Sequence, residues 1–310
     1  LLKSQKKIAE PVETIMKRLT CVTEYGEAFS DVDAVIETVS EDIQIKKQLY
    51  KELSGVLKKD CIIASNTSSI PISMLAEYVD TPERFGGLHF FVPVWMMQLV
   101  EVIQGEKTSL NTVDSLLGLC GEMKKRPIVC RDYPGFVVNS LLLPAILAAF
   151  RFVEEGNAIE RVDGAMVRFG MPVGLIRLAD EIGIDVTYKI CSGMGISQET
   201  LKNIVASGRH GLNKSGKGLF LKDGSVDPEV LPLILKRPQR ETSEENIQKE
   251  LITVMVKAAS NILNGKVVAD HRMIDVGMIW GIGFPSYRGG LLSWSDLTGL
   301  SGELFGKNFY

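Results

Sequence analysis

The stretch Asp33-Ala34-Val35-Ile36-Glu37-Thr38-Val39 decides the fold. It is short, apolar and rich in β-branched residues, a pattern that predicts a buried strand. Asp42–Leu57, which follows, has the period of an amphipathic helix, and Cys61–Ala64 is again apolar and strand-like. A polar Ser65-Asn66-Thr67-Ser68-Ser69 turn then opens a short helix over Pro71–Tyr78. Outward from there, Phe85–Val92, Leu99–Ile103 and Pro127–Cys130 are predicted strands, and Leu110–Met123 is a helix. Upstream, Leu19–Thr23 reads as a further short strand and residues 1–18 as the tail of a helix. Strands alternating with helices indicate an α/β parallel sheet covered by helices on both faces.

At Asp132-Tyr133-Pro134-Gly135 the pattern changes, and almost everything beyond it is helical. Helices are expected from Phe136 through Glu155, over Ile159–Phe169 and over Ala179–Met194. Gly216-Lys217-Gly218 and Pro238 mark a looser stretch. A second helical run starts near Ser243, a plausible N-terminal cap, and continues to Asn264 and then over Asp270–Trp280. The neighbourhoods of Pro134-Gly135-Phe136 and Gly283-Phe284-Pro285 suggest two related helical units.

Composition narrows the function classes. The 310 residues suggest two or three domains at about 100–200 residues each. Basic and acidic residues number 35 and 38, for a net charge of −3 without a basic block, which disfavours sequence-independent nucleic-acid binding. The longest apolar stretch, Ser140–Phe150, is about half of what a membrane-spanning helix needs. The cysteines (Cys21, Cys61, Cys120, Cys130, Cys191) are odd in number and lack CxxC spacing. They read as small buried hydrophobes in a reducing compartment, with no metal site expected.

Few residues can carry chemistry. His210 and His271 sit in polar surroundings beside Arg209 and Arg272, as surface histidines do. His89 lies instead inside the apolar run Leu88-His89-Phe90-Phe91-Val92-Pro93, and Glu101 lies inside Leu99-Val100-Glu101-Val102-Ile103. A buried carboxylate is unfavourable unless paired. If the two strands are neighbours, Glu101 can fix the tautomer of His89 and support its cation, as in a general-base dyad. The pair can equally be a structural hydrogen bond. The Ser65–Ser69 turn follows a strand at the end where open α/β sheets bind ligands, although serine and asparagine also simply make turns and caps. Glu41 and Lys46 form either a solvated pair or part of a site. Asn139, in Val137-Val138-Asn139-Ser140-Leu141, either ties two backbones together or points into a site. Gly193-Met194-Gly195 and Gly281-Ile282-Gly283 are GxG pairs that do not lie between a strand and a helix, so they fail as phosphate loops.

Taken together, these pieces resemble the L-3-hydroxyacyl-CoA dehydrogenase family over nearly the whole chain, from about Leu1 to about Gly299. The most specific matches are Ala64-Ser65-Asn66-Thr67-Ser68-Ser69, Gly87-Leu88-His89-Phe90-Phe91, Leu99-Val100-Glu101-Val102-Ile103 and Pro134-Gly135-Phe136-Val137-Val138-Asn139. Their spacing matches as well: Ser68 lies 21 residues before His89, while Glu101 and Asn139 lie 12 and 50 after it. The resemblance implies that His89 is the base for the substrate 3-hydroxyl, that Glu101 orients it, and that Ser68 and Asn139 bond the reacting oxygen or the thioester. It implies NAD as cofactor, with Val39, Ser40, Glu41, Lys46, Ser68, Val92 and Lys214 lining its site.

The implied architecture is α/β plus all-α. An incomplete Rossmann-type domain over 1–131, lacking its first βαβ unit of on the order of 30 residues, precedes tandem helical C-terminal domains over 132–240 and 241–310. In single-function homologues one helical unit serves two subunits by dimerising, and a tandem pair would mimic that dimer within one chain. An acyl-CoA substrate, a hydratase domain upstream in the same chain and a thiolase subunit as partner are further implications. The cytoplasm is the expected location, with peroxisome or mitochondrion as alternatives for a eukaryotic source. The chain departs from the family pattern at Val92, usually asparagine, at Ser140, usually arginine, and at Leu175, usually proline. Val92 therefore cannot hydrogen-bond through its side chain. A non-catalytic acyl-CoA-binding or assembly role is the alternative function.

Overall fold

A computed structural model describes residues 10–196, 198–234 and 241–310. The first part of the expected N-terminal helix and Pro238 lie outside the described residues. A short helix α1 (Val12–Met16) precedes β1 (Ala34–Glu37), α2 (Ile43–Ser54), β2 (Ile62–Ser65), α3 (Ile72–Leu75), β3 (Phe85–Phe90), β4 (Leu99–Gln104), α4 (Leu110–Glu122) and β5 (Arg126–Arg131). The strand expected at Leu19–Thr23 does not form: Leu19 and Val22 are exposed, and β1, at the sheet edge, pairs with β2. A β-branched run with no partner strand has no ladder to join.

The five strands lie in sequence order. Strands β1, β2 and β3 are parallel, but β3 and β4 are antiparallel, which corrects the expectation of a wholly parallel sheet. The reason is length. Residues 91–98 join the two strands, fewer than the dozen or so that a parallel crossover needs. Strand β5 then returns parallel to β4 after the α4 crossover. Alternate residues face opposite sides. Ala64, Leu88, Val100 and Val102 pack under α4, while Ile63, Phe85, Leu99 and Ile103 join the main core with the other helices.

Beyond β5 come α5 (Val138–Glu154), α6 (Ile159–Phe169), α7 (Leu175–Ile182), α8 (Ile184–Gly193), α9 (Glu199–Ala206), α10 (Leu212–Ser215) and α11 (Leu231–Ile234). The last group is α12 (Glu244–Asn264), α13 (His271–Ile282), α14 (Leu291–Leu297) and α15 (Leu300–Phe305). The single helix expected over Ala179–Met194 is two, because Gly183 (φ +109°) breaks it. Ser243 caps α12 as expected, its hydroxyl accepting from Asn246 N–H. Four cysteines are buried and free, whereas Cys21 is exposed.

The helical half uses one device twice. Asp163 on α6 accepts from Ile176 and Arg177 N–H at the start of α7, at 2.8 and 2.9 Å. Asp275 on α13 likewise accepts from Leu292 and Ser293 N–H at the start of α14, at 2.7 and 3.1 Å. The matching loops are therefore Gly170-Met171-Pro172 and Gly283-Phe284-Pro285, each following a helix. Pro134-Gly135-Phe136, which the sequence suggested as the counterpart, instead precedes α5. Helix α12 lies along α5 and α6, and α13 backs onto β4, β5 and α5. Arg126 of β5 stacks on Trp280 of α13 at 4.5 Å.

Candidate active site

The antiparallel register places His89 directly opposite Glu101. Residues so opposed share a face of the sheet. His89 Nδ1 donates to Glu101 Oε2 at 2.6 Å, while Oε1 accepts from the N–H groups of Val137 and Val138 at 3.0 and 2.9 Å. Both carboxylate oxygens thus act as acceptors, which fixes the imidazole proton on Nδ1 and leaves the Nε2 lone pair available. Glu101 is fully buried, yet its charge faces the positive end of α5. The rings of Phe91 and Phe136 flank the imidazole at 4.8 and 5.5 Å. A histidine serving only as a core hydrogen-bonding group would have both nitrogens satisfied; among the described residues this one bonds through Nδ1 alone.

A second cluster gathers at the carboxyl ends of β1 and β2. Glu37 ends β1 beside Ser65 of β2. Its carboxylate accepts from Lys46 Nζ at 2.7 Å, from Tyr50 Oη at 2.8 Å, from Ser65 Oγ at 2.7 Å and from Val39 N–H at 2.8 Å. All of these side chains are buried, and so many donors compensate for removing the charges from water. Burial drives the Tyr50 phenol well above its ordinary range, with Glu37 adding to the shift. Lys46 is therefore a core lysine, its side chain 1% exposed, and it reaches Glu41 at 3.5 Å.

Glu41 in turn holds the next loop. Its Oε1 accepts from Thr67 Oγ1 at 2.6 Å, Ser68 N–H at 2.9 Å, and Ser69 N–H and Oγ both at 3.0 Å. Burial works to raise the Glu41 carboxyl, but the Thr67 hydroxyl, the Lys46 charge and the Ser68 and Ser69 donors together hold it below its usual range. Ser68 Oγ lies 3.4 Å from the same oxygen, a long contact that leaves the hydroxyl free for a stronger partner. Asn66 Oδ1 accepts from Phe90 N–H at 2.9 Å and so ties the loop to the end of β3, next to His89.

Asn139 follows Val138, whose amide holds Glu101. The Asn139 side chain is buried, at 8% exposure, and its amide makes no hydrogen bond among the described residues. Val39 and Ser40 are exposed where the chain leaves β1, and Val92 is 86% exposed. Lys125 Nζ steadies the segment after Val92 by donating to the carbonyls of Val94 and Met97. Lys214 lies on α10, where its ammonium pairs with Asp185 of α8.

Several contributors escaped the sequence reading. Glu37 carries the same signal as Glu101, a carboxylate inside an apolar strand, and could have been found by it. Gly193 and Met194, dismissed as a phosphate loop, end α8 against the site: a Cβ on Gly193 would lie 3.5 Å from Ser69 Cβ, and Met194 Sδ packs beside Gly135. No local pattern announces the Val137 and Val138 amides, since any residue supplies them.

The NAD-binding domain of 3-hydroxyacyl-CoA dehydrogenase matches residues 1–133, and the C-terminal domain matches residues 135–220. The chain belongs to the 3-hydroxyacyl-CoA dehydrogenase family. A fatty acid oxidation complex subunit alpha from Vibrio parahaemolyticus is 36% identical over 283 residues, covering 88% of this chain and 40% of the relative. The corresponding subunit of Shewanella halifaxensis is also 36% identical, over 93% of this chain and 42% of the relative. The chain thus spans about two fifths of the length of the curated relatives it matches. Among solved structures, the (S)-3-hydroxybutyryl-CoA dehydrogenase PaaH1 from Ralstonia eutropha is 32% identical with a TM-score of 0.65, covering 71% of this chain and 81% of that one. A 3-hydroxybutyryl-CoA dehydrogenase from Escherichia coli has a TM-score of 0.81 at 24% identity, covering 99% of this chain and 85% of that one, a likeness of fold.

Membership of this family implies NAD, and part of the structure fits it. The Glu41 carboxylate and the exposed backbone of Val39 and Ser40 lie past the end of β1, where α/β sheets bind dinucleotides, and the Asn139 amide lies at the start of α5. No strand, glycine-rich turn and helix in succession occur among the described residues to hold a pyrophosphate.

Proposed function

We propose that this chain carries the NAD-dependent oxidation of L-3-hydroxyacyl-CoA to 3-oxoacyl-CoA in fatty acid β-oxidation. The observation that carries this reading is the His89–Glu101 pair with its proton fixed on Nδ1. His89 Nε2 takes the proton of the substrate 3-hydroxyl as the C3–O bond becomes a carbonyl. Glu101 supports the imidazolium that forms, its other oxygen remaining on the α5 amides. The Ser68 hydroxyl and the Asn139 amide hold the reacting oxygen or the thioester. NAD, when bound, supplies the acceptor for the C3 hydride. Val39, Ser40, Glu41, Ser68, Val92 and Lys214 would line its site, with Lys46 acting through Glu41.

We take residues 1–131 as a sheet domain that carries the base, and 132–240 and 241–310 as two helical units. The bacterial relatives, longer than this chain and named as complex subunits, support a hydratase domain upstream and a thiolase partner. No helix among the described residues is long and apolar enough to cross a membrane. From the bacterial relatives we infer a cytoplasmic location.

The test is turnover of a 3-oxoacyl-CoA with NADH by wild type and His89→Gln. The variant should lose at least ~10²-fold in kcat with KM little changed. Wild-type turnover that survives in His89→Gln would sink the assignment.

A further inference from the structure

Glu101 is gripped by two separate parts of the fold, the β3 imidazole on one oxygen and the first amides of α5 on the other. What presents those amides is an unusual turn. Gly135 and Phe136 both have positive φ, +78° and +52°. Glycine adopts such a conformation readily, but phenylalanine does so rarely, and it persists only where surrounding structure enforces it. Here Phe136 N–H donates to Tyr133 O at 2.8 Å, Ser140 N–H donates to Gly135 O at 3.2 Å, and Ser140 Oγ donates to Val137 O at 2.7 Å. The Phe136 ring is buried and its centroid lies 5.5 Å from that of the imidazole.

We propose that Gly135 and Phe136 are positioning residues for His89. Their consecutive left-handed conformations turn the Val137 and Val138 N–H groups onto Glu101, so that the seating of the helical units on the sheet sets the direction of the His89 imidazole. The consequence for turnover rests on the dehydrogenase reading above; the geometry does not.

The second helical unit reaches the same point. Helix α13 passes so close behind α5 that a Cβ on Gly281 would lie 3.1 Å from Val138 Cγ2 and 2.9 Å from Leu99 Cδ2. One on Gly277 would lie 3.1 Å from Ile128 Cδ1 and 3.5 Å from Val138 Cγ2. The contact runs from α13 to Val138, from its amide to Glu101, and from Glu101 to the imidazole. A displacement of either helical unit therefore reaches the base without touching a ligand.

Two variants separate the backbone turn from ring packing. Phe136→Ile and Phe136→Met remove the same ring and nearly conserve volume, but only the branched Cβ of isoleucine is strongly disfavoured at positive φ. The readout is the low-field proton resonance of His89 Nδ1–H, assigned by its loss in His89→Gln, with kcat and KM measured in parallel. Phe136→Met should keep the resonance and kcat within about threefold. Phe136→Ile should lose or shift the resonance and drop kcat by ~10²-fold with KM within about threefold. Resonances retained in both variants, or lost in both, overturn the proposal. Should the isoleucine variant fail to fold, Gly135→Ala is read in the same way. Its Cβ would strain φ and press on Ser140 N and Met194 Sδ, each at 3.1 Å, and an unchanged resonance there also overturns the proposal. Resonances that behave as stated in a protein without turnover would instead refute the dehydrogenase reading alone.

Discussion

Replacing Glu101 by glutamine removes a charge while keeping the shape, and the outcome follows from counting donors. One carboxylate oxygen faces two backbone N–H groups and the other faces His89 Nδ1–H. Glutamine has one oxygen and one NH2 group to fill these places. With its oxygen on Val137 and Val138, its NH2 meets His89, and Nδ1 must become an acceptor. The imidazole proton then moves to Nε2, where the substrate hydroxyl needs a lone pair. The opposite rotamer would set the NH2 against two buried N–H groups. An unsatisfied buried donor costs about 1–3 kcal/mol, so that rotamer is disfavoured by about 2–6 kcal/mol. Even the lower figure is a preference of roughly thirtyfold. The mismatch at His89, by contrast, is relieved by a change of tautomer. Glu101→Gln should therefore fold normally and lose about 10²- to 10⁴-fold in kcat, as expected when a general base is held in the wrong tautomer. The assay pairs steady-state reduction of a 3-oxoacyl-CoA by NADH with nitrogen NMR of the three histidines, where protonated and bare ring nitrogens are distinguishable. Turnover within about threefold of wild type, or a His89 that keeps its proton on Nδ1, would refute the reasoning.

Asn139→Ala should lower kcat/KM by ~10-fold or more while shifting stability by less than about 1 kcal/mol, because its amide has no partner to lose among the described residues; a large fall in the melting temperature would show a structural role instead. Val92→Asn places a hydrogen-bonding side chain at a position 86% exposed, so NAD affinity measured by calorimetry should rise with stability unchanged; equal affinities would remove Val92 from the cofactor site. Burial pushes the Asp163 carboxyl up to about 6, against the lowering effect of the Ile176 and Arg177 amides. Its value when folded exceeds that when unfolded, so the stability it contributes is full below about pH 4 and lost as pH rises to about 6, a change of at most ~3 kcal/mol. Denaturation at a series of pH values should show this slope in wild type and not in Asp163→Asn, and parallel curves would disprove it.

Much of this was legible in the chain. The strands from Ala34 to Arg131 announce themselves as apolar runs, and the helices from Val138 to Glu154 and from Glu244 to Asn264 by their periodicity and, for the latter, its serine cap. His89 and Glu101 stand out because a charged or titratable group inside an apolar strand demands a partner. Lys46 was harder: a lysine on an amphipathic helix, followed by Lys47 and Gln48, reads as a surface residue, and only the convergence of Glu37 from another element shows it to be in the core. Lys214, carried over by resemblance, lies on α10 against Asp185, a placement that no local pattern specifies.

The sequence by itself determined the alternation of strands and helices, the change to an all-helical half after Asp132, and the family, because periodicity and ordered motifs are properties of neighbours along the chain. It also supplied His89, Glu101, Ser68 and Asn139 as residue types. Only the tertiary structure decided which oxygen of Glu101 meets which donor, that Glu41 rather than solvent fills the Thr67–Ser69 cradle, and that α13 presses on Val138 from behind. Those are contacts of side chains with backbone amides, or between residues 12 or more positions apart along the chain. Backbone amides are the same in every sequence, so what they hold is settled only when the chain has folded around it.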